Sequence, residues 1–96
     1  MSDKMHRALV IDPDARVLAV AVRLLARKGF HAAGRTTPVD SLDYVRRARP
    51  DVVLLGLRFW EEGWGTEILG ASPETVILPI VQGAGTPGVR IAAGVA

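Results

Sequence analysis

An α/β fold built on a parallel sheet is what this sequence predicts, and three observations predict it. The first is Asp51-Val52-Val53-Leu54-Leu55-Gly56-Leu57, whose core is an unbroken apolar run with β-branched residues, preceded by Pro50. It is too short for an ordinary helix and shows no polar alternation, which suits a strand buried on both faces. The second is a stretch of clear helical periodicity, Ala15 to Lys28, lying between two shorter apolar runs. The third is the order of the segments, βαβαβ(α)β(α), in which strands alternate with helical crossovers.

Taken in order, Arg7-Ala8-Leu9-Val10-Ile11 reads as a first buried strand that stops at Asp12-Pro13-Asp14. Arg16, Arg23 and Arg27 then share one narrow helical stripe, and Val17, Leu18, Ala21, Val22, Leu24 and Leu25 cover a broad arc opposite. Asp14 is placed to cap this helix and Gly29 to end it in a left-handed conformation. Phe30-His31-Ala32-Ala33 is a brief strand. Thr37, Pro38 and Asp40 read as cap, first-position proline and first-turn acid of a second helix reaching Ala48, where Pro50 stops it. After the central strand, Arg58 to Trp64 reads as a loop, and Thr66 to Leu69 as barely more than one turn. Thr75 to Val81 is another apolar strand containing Pro79. Gln82 to Gly88 is glycine-rich, and Val89 to Ala93 reads as a last short turn of helix.

Composition bounds the possibilities. At 96 residues the chain is one domain, residues 1–96 together. Apolar residues at 49% and charged residues at 23% describe a globular chain rather than a disordered one. The absence of cysteine excludes disulfides, thiolate zinc sites and cysteine nucleophiles. His6 and His31 cannot make a metal cluster by themselves and read as surface or strand residues. No apolar run approaches a membrane span and the first seven residues are too polar to open a signal peptide, so the expected location is cytoplasmic. A net charge of +2 is a weak argument for a polyanionic partner. Arg46, Arg47 and Arg49 are read as a solvated face rather than a nucleic-acid surface.

Leu9-Val10-Ile11-Asp12-Pro13-Asp14-Ala15-Arg16-Val17, the Gly29-Phe30 turn and Arg49 through Arg58 resemble the receiver domain of bacterial two-component response regulators. The resemblance is strongest over residues 7–81. It implies a doubly wound, flavodoxin-like sheet with order 2-1-3-4-5, of which this chain carries four strands, the fifth strand and last helix being absent. It also implies aspartyl phosphorylation: a carboxylate after the third strand attacks a phosphohistidine, and acids after the first strand hold Mg²⁺. Carried over, the first acid is Asp12, but the second falls on Pro13, the phosphoacceptor position on Gly56, and the switch hydroxyl near Ile80. No catalytic residue, metal site or cofactor is therefore expected, and Asp12 and Asp14 are a vestigial acidic pocket. What the resemblance implies is a pseudo-receiver, not an enzyme, working as a phosphorylation-independent interaction module in signal transduction. Without the last helix, apolar side chains of Val52, Leu54 and 75–81 lose cover, which favours a protein partner or self-association.

Three features carry a second reading. Asp12 and Asp14 suggest a cation, but two carboxylates without a third ligand favour a strand-end acid and a helix cap. Gly83-Ala84-Gly85-Thr86-Pro87-Gly88 matches the dinucleotide spacing at Gly83, Gly85 and Gly88, and supports a nucleotide- or phosphate-binding alternative. It sits late and contains a proline, so a flexible connection is favoured. Phe59, Trp60 and Trp64 are either core plugs or an exposed anchor for a partner. A chain without independent function is the remaining alternative.

Overall fold

A computed structural model describes residues 6–81 and 90–91. Strands β1 (His6–Ile11), β2 (Phe30–Arg35), β3 (Val52–Gly56) and β4 (Val76–Val81) pair in parallel in the order β2-β1-β3-β4. Helices α1 (Ala15–Arg27), α2 (Ser41–Ala48), α3 (Leu57–Glu61) and α4 (Trp64–Ala71) make the connections. This is an α/β, doubly wound arrangement of the flavodoxin-like kind. A two-residue strand β5 (Arg90–Ile91) pairs antiparallel with Ile80 and Val81. The sequence reading expected a turn of helix at that place. Among the described residues β5 meets β4 at Ile80 and Val81, just past Pro79.

Both faces of the sheet are covered, which is why the strands carry continuous apolar runs. Ala8, Val10, Leu54 and Ile80 pack with Val17, Ala21 and Leu25 of α1. Leu9, Ile11, Val53 and Leu55 pack with Val45 of α2 and Ile68 of α4. The alternation along β1 and β3 sends successive side chains to opposite layers. Cover thins along β4 on the α1 side, where Val52 and Leu78 are half-buried and Val76 is 55% exposed. No helix among the described residues is long and apolar enough to cross a membrane.

Local chemistry accounts for the helix ends. Asp14 caps α1, its Oδ1 accepting the Arg16 N–H at 2.9 Å, and Gly29 turns the chain at φ +93°. α2 starts three residues later than a Thr37 cap implies. Thr37 instead gives its carbonyl to the buried Ser41 hydroxyl at 2.8 Å, and Pro38 to Asp40 form a turn ahead of the helix. Leu57–Glu61 is helical where a loop was expected from Arg58 on. Leu57, Arg58 and Glu61 are good helix formers, an Arg58–Glu62 pair at 3.6 Å spans one turn, and Gly63 follows at φ +92°. α4 is longer than expected despite Gly65 and Gly70. Each glycine costs about 1 kcal/mol in a helix, and burial of Ile68 offsets that loss.

The amino-terminal edge of the sheet is tied by one residue. Asp51 N–H donates to the Arg7 carbonyl at 2.8 Å, and its Oδ2 accepts the Arg7 N–H at 2.8 Å. Its own carbonyl accepts the Val76 N–H at 3.0 Å. Beside it, Thr75 Oγ1 donates to the Pro50 carbonyl at 2.7 Å and lies 2.7 Å from Ser72 Oγ.

Candidate functional site at the carboxyl edge of the sheet

The parallel sheet puts the ends of β1, β3 and β4 side by side, where Ile11 faces Leu55 and Gly56 faces Ile80. An open cleft of about 380 Å³ lies there, lined by Asp12, Pro13, Asp14, Leu57, Arg58, Ile80 and Val81. It occupies the place beyond the carboxyl ends of the strands where open α/β sheets bind ligands.

Asp12 is the residue this edge buries, with 7% exposure. Its N–H donates to the Arg35 carbonyl at 3.1 Å, which holds the backbone against β2. Its Oδ1 accepts the Asp14 N–H at 2.8 Å, a turn that bends the chain into α1. Its Oδ2 reaches over Gly56: a Cβ placed on that glycine would stand 2.5 Å from Oδ2 and 3.1 Å from Cγ. Burial pushes the Asp12 carboxyl above the ordinary aspartate range, the Asp14 N–H opposes the rise, and the neighbouring Asp14 charge adds to it.

The structure therefore brings Asp12, Asp14 and Gly56 together. Pro13 lines the same cleft, and so does Ile80, the apolar residue near which the resemblance puts the switch-hydroxyl position. The residues do not fit a divalent cation. Asp14 Oδ1 caps α1 and lies 3.8 Å from Arg16 Nε, Asp12 Oδ1 is committed to the Asp14 N–H, and the described residues hold no cluster of three or more candidate ligands. Arg58 belongs to the cleft and was missed, because the segment carrying it read as a loop. The periodic pairing of Arg58 with Glu62 was the available signal.

Phe59 and Trp60 on α3 and Trp64 on α4 are half-buried and pack against the Leu9, Ile11, Val53 and Leu55 layer. Trp60 also walls a groove of about 440 Å³ with Thr66, Leu69 and Ile77. The three aromatics therefore plug the layer over the short helices, and Trp60 keeps one side on this groove. Gly83, Gly85 and Gly88 lie outside the described residues. No family model matches this chain, and no curated protein or solved structure is found similar to it.

Proposed function

We propose that this chain is a degenerate receiver-type domain, a phosphorylation-independent protein-interaction module in two-component-type signal transduction. The observation that carries the reading is Asp12 at the end of β1 lying over Gly56 at the end of β3, within the strand order β2-β1-β3-β4. A receiver that uses phosphate needs a carboxylate on β3 and a bound cation, and here the β3 position has no side chain. The domain keeps the scaffold and gives up the transfer, so it is not an enzyme, and its expected place is the cytoplasm beside its signalling partners. The thin cover over Val52, Val76 and Leu78 supports an interaction role, because an apolar patch on a globular chain marks an interface or an association surface.

Intact-mass spectrometry after incubation with a small phosphodonor and Mg²⁺ tests the first half. The expected spectrum is unchanged, and a hydroxylamine-labile gain of one phosphoryl group overturns the reading. Sedimentation at low micromolar concentration tests the second half, with self-association or capture of a signalling protein expected. A compact monomer that binds neither partner nor hydrophobic dye overturns it.

A further inference from the structure

We propose that the cleft at the carboxyl edge of the sheet receives a primary ammonium group on a short apolar stem, with the Asp12 carboxylate as its counter-ion. This does not rest on the receiver reading. Asp12 is more than nine-tenths buried and yet lines a cleft of about 380 Å³. Among the described residues its Oδ1 is bonded to the Asp14 N–H, while its Oδ2 has no hydrogen bond. Oδ2 lies on the Gly56 side of the carboxyl group, where β3 runs into the cleft-lining Leu57 and Arg58. Glycine at residue 56 leaves the space that this carboxylate itself occupies.

Two described cations near this edge, Arg58 and Arg16, are engaged elsewhere. Arg58 Nε lies 3.6 Å from Glu62, and Arg16 Nε lies 3.8 Å from Asp14 Oδ1. None of the ion pairs among the described residues includes Asp12. A carboxylate in such surroundings is costly until an opposite charge joins it. One open oxygen selects among cations. A guanidinium binds best to both oxygens of a carboxylate, and Oδ1 is already taken. A Ca²⁺ or Mg²⁺ ion needs about six oxygen ligands, which this edge does not supply. An ammonium is a compact charge that a single oxygen can anchor. Leu57, Ile80 and Val81, with Pro13, provide apolar walls for the carbon stem.

The test is a backbone-amide NMR titration of the full chain with n-butylammonium, with n-butanol as the neutral comparison. Saturable shifts centred on Asp12, Asp14, Leu57 and Ile80 are expected, with a Kd on the order of millimolar for so small a probe. The alcohol should bind at least about tenfold more weakly. Asp12→Asn should abolish the response while the far-UV spectrum stays that of the parent. Equal shifts with the alcohol, retention of binding in Asp12→Asn, or no saturable shift with the amine overturns the proposal. Should Asp12→Asn fail to fold, the comparison of amine with alcohol on the parent chain decides alone. A third arm separates two sources of the group. If Nα-acetyl-lysine N-methylamide binds as well, the site accepts a lysine side chain carried by a polypeptide. If only butylammonium binds, the site belongs to free small amines.

Discussion

The carboxylate of Asp12 stands in the space that a side chain on residue 56 would need, its Oδ2 2.5 Å from the ideal Cβ position of Gly56. The two residues sit at the ends of neighbouring strands, and the smallness of one sets the pose of the other. Gly56 has a φ of −51°, so its backbone suits any residue and only space requires glycine. Gly56→Ala should therefore cost about 1–3 kcal/mol in a urea melt, through displacement of Asp12 and weakening of its bond from the Asp14 N–H. Gly56→Asp should cost more at pH 8 than at pH 5, because it sets a second carboxylate beside Asp12. It should also fail to form an acyl phosphate.

Asp12 makes stability depend on pH with a definite sign. Its folded-state pKa lies above its unfolded value, because burial penalises the charged form. The folded state then holds the proton more tightly than the unfolded state. The corresponding stabilisation is complete below about pH 3.9, the ordinary aspartate value, and is lost as pH rises through the folded pKa. Asp12→Asn should therefore be more stable than the parent at pH 7, with the difference shrinking as pH falls. Asn keeps an oxygen for the Asp14 N–H, so the turn into α1 survives. Thermal melts of both chains across this pH range check the sign.

Thr75 and Ser72 are each 4% exposed, and they close the amino-terminal edge of the sheet. Thr75 has one hydroxyl proton; when it goes to the Pro50 carbonyl, the Ser72 hydroxyl donates to Thr75 Oγ1. Thr75→Val removes both bonds and strands a buried carbonyl and a buried hydroxyl. A loss of about 1–3 kcal/mol is expected in denaturant unfolding. Ser72→Ala, which leaves the bond to Pro50 in place, should cost about 1 kcal/mol.

Arg49 ends α2 in the left-handed region at φ +46°, the one described non-glycine residue with positive φ. Its side chain is exposed, so little packing is at stake. Arg49→Gly should raise stability by about 0.5–1 kcal/mol, since glycine enters this conformation without a Cβ penalty. Equilibrium urea unfolding would show the midpoint move upward with the slope unchanged.

Much of the fold is legible because its causes are local. The apolar run of β3, the arc of Val17, Ala21 and Leu25, the Asp14 cap and the Gly29 stop each depend on residues close in the chain. α3 escapes because five helical residues show too little periodicity to separate from a loop, and its aromatics face a layer assembled from distant segments. β5 escapes for a related reason, since two residues become a strand only by meeting Ile80 and Val81. At the site, the types and order of Asp12, Pro13 and Gly56 were readable. The lean of Asp12 over Gly56 was not, because it arises from lateral adjacency of strands and from one side-chain rotamer. The sequence marks Gly56 as a missing nucleophile, whereas the structure adds that it makes room.

The Asp51 clasp has a consequence for how the strands find their alignment. A strand that slips by one residue sends every side chain to the wrong layer. Asp51 guards against this by contacting β1 through its N–H and carboxylate and β4 through its carbonyl. A slip of either neighbour breaks at least one of these contacts. The alignment of three strands is thereby anchored at one rim, far from the cleft at the other. Variation around Asp12 and Gly56 can then proceed without shifting the sheet. In hydrogen exchange, the Arg7 and Val76 amides should be among the slow ones, exchanging only when the three-strand unit opens as a whole.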